Sequence, residues 1–379
     1  MKQSVPAARG EPVRGKPAGL RILHVIPSMG YGGAERQAAY LAHGLGALGY
    51  DVHFALFAGG ENLPLLEQSG ATVHRLRPAG NYDPRRLVEL LGITERVAPQ
   101  LVQTWLNMAN VLGGIAALRC GVPWVYAERY TPDAYEGSPK VAFDHWLARR
   151  HAAAVISNSS SADAHWSRRL APGRPRGVIR NALPLAELDA LPPADPRELG
   201  LPPELPLVVY VGRMLPHKGI DTLLDALEQV NAARPISVLL LGVGEQHEAV
   251  KRRLAGPAFG GRGRAPGFRY DASAWLKRAA VFVSLSRWEG MPNTVMEAMA
   301  MRCPAVVSDI PQHREILDEE SARFVPLGEA AAVAAAVRAL LDDPADAAAR
   351  AARARRAADA WSIEATARAW DALYRQLVP

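Results

Sequence analysis

Arg287-Trp288-Glu289-Gly290-Met291-Pro292-Asn293-Thr294-Val295-Met296-Glu297-Ala298-Met299-Ala300 lies between two apolar runs, Ala279 to Ser286 and Pro304 to Ser308. Both runs have the length and composition of buried strands. Gly290 and Pro292 mark a loop, and a helix is predicted to open near Asn293 or Thr294. Strand, loop, helix, strand is the repeating unit of a parallel sheet, whose ligands sit beyond the carboxyl ends of the strands. A helix N-terminus there adds unpaired N–H groups and a partial positive charge, which suit a phosphate. Glu289 in the loop and Glu297 one turn into the helix, seven residues between them, flank that anion site. Two readings stand for each. Thr294-Val295-Met296-Glu297 spells a capping box, in which the two polar side chains satisfy each other's backbone N–H groups. Glu289, taken alone, is an ordinary loop residue.

The 379 residues suffice for two domains, and an apolar content of 49% is that of a globular chain with sizeable cores. No apolar run reaches the roughly 18–20 residues of a membrane span. Residues 1–19 are rich in Pro, Gly, Arg and Lys without an apolar core, and read as a disordered tail rather than a signal peptide. Cys120 and Cys303 stand far apart in apolar surroundings, as reduced thiols of a cytoplasmic protein do. The net charge is +6, with 21 Lys and Arg against 15 Asp and Glu through residue 190 and 23 of each beyond it. The first half therefore holds all the excess. That suits an anionic partner such as a lipid phosphate or a membrane surface reached peripherally, or marks a solvated basic face. No nucleic-acid motif accompanies the basic residues, so nucleic acid is not expected.

From the amino end, Arg21 to Pro27 is a short apolar strand, followed by Gly30-Tyr31-Gly32-Gly33-Ala34-Glu35-Arg36 and an apolar-spaced helix to near Gly49. Glycines in such a turn let the backbone approach a ligand. Strand-like runs recur at Asp51–Phe57, Ala71–Leu76, Leu101–Trp105, Trp124–Arg129 and Ala153–Ser159, with helical patterns over Arg85–Ala98 and Leu106–Arg119. A further helix carries Phe143, Trp146 and Leu147 and ends in Arg149-Arg150-His151. It is either core-facing with a cationic last turn or a basic amphipathic contact to a membrane. Gly177 to Ala182 reads as the last strand and turn of the first domain, and the Pro-rich residues 189–206 as a linker. Leu207 to Arg213 opens the second domain as a strand, and Met214 to Gly219 leads to a helix. Arg213 and Lys218 stand at that strand's carboxyl end, as two solvated charges or as cations for a phosphate. Glu329 to Ala360 is helix-prone, and Ile363 to Leu377 forms a last helix.

Glu289-Gly-Met-Pro-Asn-Thr…Glu297-Ala-Met-Ala, with Gly-Gly-Ala-Glu-Arg at 32–36 and Val-Gly-Arg-x4-Lys-Gly at 211–219, resembles the retaining nucleotide-sugar glycosyltransferases of family 4 from residue 21 onward. The resemblance implies an α/β chain of GT-B fold, two Rossmann-like doubly wound domains facing a cleft. Its divisions would be an acceptor domain at 20–188, the linker, a nucleotide-sugar domain at 207–361, and a helix at 362–379 crossing back. The implied reaction moves a sugar from a nucleotide-sugar to a glycan or lipid-linked acceptor with retention, by front-face substitution assisted by the leaving phosphate. It implies no metal and no cofactor, since the nucleotide-sugar is a substrate, and a place in cell-surface polysaccharide or glycolipid synthesis. Arg213 and Lys218 would hold the diphosphate, Glu289 the sugar and Glu297 the ribose. Gly290, Met291, Pro292, Asn293 and Thr294 would surround the donor, and Gly32, Gly33, Gly244 and Phe268 would border it. Asn107, Glu128 and Arg129 would line the sugar or acceptor site, Trp105 would either line it too or be a plain core tryptophan, and His313-Arg314-Glu315 would lie near the sugar. The histidine that many relatives carry after the fourth strand is replaced here by Trp105, so no catalytic histidine is assigned. Two alternatives stay open: a nucleotide-sugar epimerase on the same fold, and a non-catalytic nucleotide-sugar binding protein. A dehydrogenase is disfavoured, because no G-x-G-x-x-G follows the first strand.

Overall fold

The computed structural model describes residues 19–78, 80, 83–129 and 138–378. Apart from Gly19, the tail expected at residues 1–19 lies outside the described residues. The first domain runs β1 (Arg21–Ile26), α1 (Gly33–Ala47), β2 (Asp51–Leu56), α2 (Leu63–Gln68), β3 (Thr72–Arg75) and α3 (Arg85–Val97). It continues with β4 (Leu101–Trp105), α4 (Asn107–Arg119), β5 (Trp124–Glu128), α5 (Pro139–His151), β6 (Ala154–Ser157), α6 (Ser160–Ser167) and β7 (Arg176–Val178). After α7 (Leu185–Ala190) the second domain runs β8 (Leu207–Val211), α8 (Ile220–Ala233), β9 (Ser237–Leu241), α9 (His247–Leu254), β10 (Gly263–Gly267), α10 (Ala272–Arg278) and β11 (Val281–Ser284). It closes with α11 (Asn293–Ala300), β12 (Ala305–Ser308), α12 (Pro311–Arg314), β13 (Arg323–Val325), α13 (Ala330–Asp342), α14 (Pro344–Ala358) and α15 (Ile363–Leu377).

Each domain is built on a parallel sheet, ordered β3-β2-β1-β4-β5-β6-β7 in the first and β10-β9-β8-β11-β12-β13 in the second. Strand order reverses between β1 and β4 and again between β8 and β11. Those switch points are where a doubly wound sheet leaves a crevice for a ligand. The central strands are buried on both faces because helices cover both, and they are mostly apolar, with His24, Gln103 and Thr104 as buried polar residues of β1 and β4. In the first sheet, Ile22, Ile26, Phe54 and Trp105 pack beneath α1 and α15, while Leu23, Val25, Val102 and Trp124 pack beneath α3, α4 and α5. Helix α15 buries Trp370 and Tyr374 in the first core. A Cβ on Gly44 would meet Ala367 and Ile363, so only glycine lets α1 and α15 approach this closely.

Two local features, the start of α4 and the outer face of α5, differ from the sequence expectation. The helix expected from Leu106 begins at Asn107, because Leu106 adopts φ 68°, outside the right-handed helical region. As expected, the last strand of the first domain gives way to a turn: β7 ends at Val178, and Ala182 beyond it has its N–H and C=O both taken by the Gln37 side chain of α1. Helix α5 turns Val141, Asp144, Leu147 and Ala148 inward and leaves Phe143 and Trp146 outside, against a wholly core-facing reading. The Pro-rich stretch at 189–206 lies against the second domain, with Leu201 in that domain's core and Lys277 donating to the Asp189 and Leu191 carbonyls.

Candidate active site

Residues of the quoted stretch meet those of the β8 loop at the second switch point. Lys218 ends a 3-10 turn, Pro216–Lys218, after β8. Its Nζ donates to Glu289 Oε1 at 2.6 Å, and Ser286 Oγ donates to the same oxygen at 2.6 Å. Glu289 is therefore a held carboxylate rather than an idle loop residue. Burial pushes its carboxyl up, but the Lys218 charge and the hydrogen bonds from Lys218 and Ser286 outweigh that and leave it below the ordinary range. His313 is fully buried nearby, and its Nδ1–H donates to the Ser308 carbonyl at 2.8 Å. Its Nε2 has no partner among the described residues. Burial lowers the imidazole's basicity, while the charge of Glu289 pulls the other way. Ser308 Oγ in turn donates to the Ser286 carbonyl at 2.6 Å, tying β12 to the loop that carries Glu289. Arg213 is exposed at the end of β8, and no carboxylate forms an ion pair with it among the described residues.

Across the cleft, the N-terminus of α1 faces the N-terminus of α11. A Cβ on Gly33 would come within clashing distance of Asn293 Nδ2, so any other residue there would make the Asn293 side chain swing aside. Asn293 Oδ1 accepts from Asn181 Nδ2 at 2.7 Å. One turn on, Arg36 Nη2 donates to Glu297 Oε1, joining the two domains through a buried carboxylate. The capping box suggested by Thr294 and Glu297 does not form. The helix starts at Asn293 after Pro292, Thr294 already lies inside it, and no side chain caps it. Met291 turns into the second core and Gly290 stays half-buried in the loop. Gly32 precedes α1 beside the Glu35 carboxyl. Burial raises that carboxyl, against the helix's own backbone N–H and the charge of Arg213. Gly244 lies in the turn after β9 against the Met214 carbonyl, and Phe268 packs on Tyr31 of the glycine loop, ring centroids 4.4 Å apart.

The residues at the ends of β4 and β5 are placed more deeply. Trp105 is buried, and its indole N–H donates to His24 Nδ1 at 3.1 Å. The Arg129 guanidinium lies 4.1 Å from the Trp105 ring centroid and donates to Asn181 Oδ1 at 3.1 Å. Burial lowers Arg129 to about 10 and His24 to about 3. Trp105 thus supports Arg129 from below. Glu128 points toward the core, accepting from the Trp166 indole at 3.3 Å and lying 3.2 Å from His145. Asn107 is half-buried at the start of α4. Of His313-Arg314-Glu315, only His313 lies by Glu289. Arg314 pairs with Asp309, and Glu315 pairs with Arg180 and Ser160 of the first domain. Sequence reasoning missed Arg36, Glu35, Asn181 and Ser286. The first two stand in the quoted Gly-Gly-Ala-Glu-Arg string, which was the signal available for them.

Residues 32–182 match the family model "Glycosyl transferase 4-like domain", and residues 205–343 match "Glycosyl transferases group 1". The lipopolysaccharide core biosynthesis mannosyltransferase LpsB of Rhizobium meliloti is 30% identical over 201 residues, 49% of this chain and 57% of that protein. The lipopolysaccharide core biosynthesis glycosyltransferase LpsE of the same organism is 29% identical over 151 residues, 39% of this chain and 43% of that protein. The chain thus spans about half the length of these relatives. Among solved structures, Anabaena HepE in complex with UDP and glucose superposes with a TM-score of 0.83 at 21% identity, covering 94% of this chain and 100% of that one. Sucrose-phosphate synthase from Thermosynechococcus elongatus superposes with a TM-score of 0.77 at 23% identity, covering 94% and 99%. These structural likenesses carry the fold. With one family model on each domain and the GT-B architecture beneath both, the chain belongs to the group 1, family 4-type glycosyltransferases.

Proposed function

We propose that this chain transfers a sugar from a nucleotide-sugar to a glycan or lipid-linked acceptor, with retention and without a metal, in lipopolysaccharide or other surface-polysaccharide synthesis. The observation that most supports the reading is the cluster of Lys218, Glu289 and Ser286 at the α11 loop, with Arg213 exposed at the end of β8 and in no ion pair among the described residues. A diphosphate leaving group gains negative charge as the glycosidic bond breaks, and Arg213, Lys218 and the α11 N-terminus supply fixed positive charge for it. Glu289 Oε1 is already committed to two donors. That suits an electrostatic partner for a cationic sugar better than a covalent nucleophile, and it fits front-face substitution assisted by the leaving phosphate. Arg36 engages Glu297 Oε1 and leaves Oε2 for a ribose hydroxyl. Arg129, held over Trp105 and tied to Asn181, faces the acceptor side. The site of action is the cytoplasm or its membrane face, where a lipid-linked acceptor brings the first domain to a bilayer.

A thermal-shift screen with UDP-, GDP-, ADP- and dTDP-linked sugars tests the donor. A ligand at 100 times its dissociation constant adds about 2.7 kcal/mol of stability. Product analysis with and without an acceptor panel then tests the reaction. Epimerisation of the donor without acceptor contradicts the transferase reading, and so does tight donor binding with no product on any acceptor.

A further inference from the structure

Glu315 joins the two domains beside their hinge. The chain passes between the domains twice, after β7 and again between α14 and α15. The two passages meet. Leu183 N–H donates to the Trp361 carbonyl at 2.7 Å, and Leu183 pairs with Ser362 as an isolated parallel bridge. Just before Leu183, the Arg180 guanidinium lies 6.0 Å from the centre of the Trp361 ring and donates to Glu315 Oε1. Ser160, the first residue of α6, donates to the same oxygen through its backbone N–H at 2.7 Å and its hydroxyl at 2.8 Å. One carboxylate of the second domain thus accepts from three donors of the first. It stands at a helix N-terminus, which favours negative charge, and its side chain is only 10% exposed. Charge-assisted hydrogen bonds are the strong ones, and shielding from water strengthens them further.

The other contacts described across the cleft use groups that the proposed donor would engage. Arg36 meets Glu297, Asn181 meets Asn293, and Tyr31 packs on Phe268. Glu315 and its three donors include none of those groups, so a ligand in the cleft does not compete with this contact. Glu315 is also tied to the site within its own domain. Two residues before it, in α12, His313 is buried beside Glu289 and donates to the Ser308 carbonyl. An α12 held against the first domain therefore holds His313 in place as well.

We propose that Glu315 is a positioning residue, a hinge-side latch that biases the cleft toward its closed form before any donor arrives. A ligand that binds the closed form has its apparent affinity reduced by the fraction of chains that stand open. The latch keeps that fraction small. Its purpose rests on the nucleotide-sugar reading above, but the closure itself needs no ligand.

Small-angle scattering of the full chain, free and with UDP, GDP, ADP or dTDP, tests the latch together with calorimetry of the same diphosphates. Glu315→Ala removes the acceptor. Ser160→Pro/Arg180→Met removes all three donors from the other side, and proline suits the first position of a helix. Each variant is expected to enlarge the radius of gyration of the free chain. Each should also weaken the diphosphate that wild type binds by about fivefold or more, and saturation with that diphosphate should restore the wild-type radius. Glu319→Ala, which removes a carboxylate paired with Arg314 inside the second domain, should match wild type throughout. A wild-type radius in either latch variant overturns the inference, as does an unchanged affinity in a variant that has opened, or an enlargement shared by Glu319→Ala. If wild type binds none of the four diphosphates, the nucleotide-sugar reading fails, and the radii of the free proteins still decide the latch.

Discussion

Arg36 in the first turn of α1 holds Glu297 of α11 by an ion pair that crosses the cleft between positions 261 apart in sequence. Glu297 is buried, and its own helix gives it no capping partner. The carboxylate is thus oriented by the opposite domain.

A double-mutant cycle measures this pair. Arg36→Gln and Glu297→Gln should each cost about 1–3 kcal/mol, because each leaves a buried polar group poorly partnered. The double variant should cost less than both together, with a coupling of about 0.5–3 kcal/mol in denaturant unfolding. Strict additivity would show that the two side chains do not meet in solution. In the ribose-binding role, Glu297→Gln should also weaken nucleoside diphosphate binding in calorimetry.

Lys218 sets the charge state of Glu289. Burial alone would push that carboxyl up, and the Lys218 ammonium is the main opposing influence. In Lys218→Met the burial is less opposed, so Glu289 should protonate at higher pH. The acid limb of the pH–rate profile should therefore move upward. The value of kcat/KM should fall on the order of 10²–10³-fold, as expected when a fixed charge facing the leaving group is removed. An unmoved acid limb would mean that Glu289 does not control it.

The parallel sheets and the switch-point loops were legible in the sequence, because strands, glycine turns and helix starts are local signals; that Lys218 reaches Glu289, 71 positions away, was not. Nor were the partners of the other site residues. Arg36 reads as a surface residue of an amphipathic helix until α11 is brought opposite it. Asn181 is one polar residue in a turn until it reaches Asn293 and Arg129 together. Glu297 fits a capping box by spacing, yet the helix already starts at Asn293 with Pro292 in the N-cap place, so Thr294 lies inside it and cannot cap. The exposure of Phe143 and Trp146 was equally hidden, since their spacing matches a buried stripe as well as an outer one. All of these depend on which elements meet, and helical periodicity does not encode that.

Asp144 offers a test of the first domain by pH. Burial raises its carboxyl to about 7 from an ordinary 3.8, with Asn110 and Tyr126 donating to Oδ2 and Oδ1 left unpartnered. The folded value lies above the unfolded one. The group's stabilising contribution is therefore full below 3.8 and is lost as pH rises to about 7. Asp144→Asn escapes that loss. It should melt higher than wild type at pH 8, by an amount corresponding to about 2–4 kcal/mol, and the gap should close toward pH 4. A gap independent of pH would contradict a neutral Asp144 in the fold.

Metal independence is tested by chelation. The chain has no Asp-x-Asp pair of the kind that holds Mg²⁺ or Mn²⁺ on a diphosphate. Arg213 and Lys218 are cast in that role here. Turnover should survive excess EDTA, whereas loss with recovery on Mn²⁺ would overturn the charge assignment.

The assignment of Glu289 is tested most directly by Glu289→Gln, assayed for turnover and for nucleoside diphosphate binding on the same preparation. Glutamine keeps the shape and one acceptor oxygen for Lys218 and Ser286 but removes the charge. Turnover should fall by a factor on the order of 10² or more, while the calorimetric affinity for the diphosphate stays close to that of wild type. Near-wild-type turnover in Glu289→Gln would contradict the account.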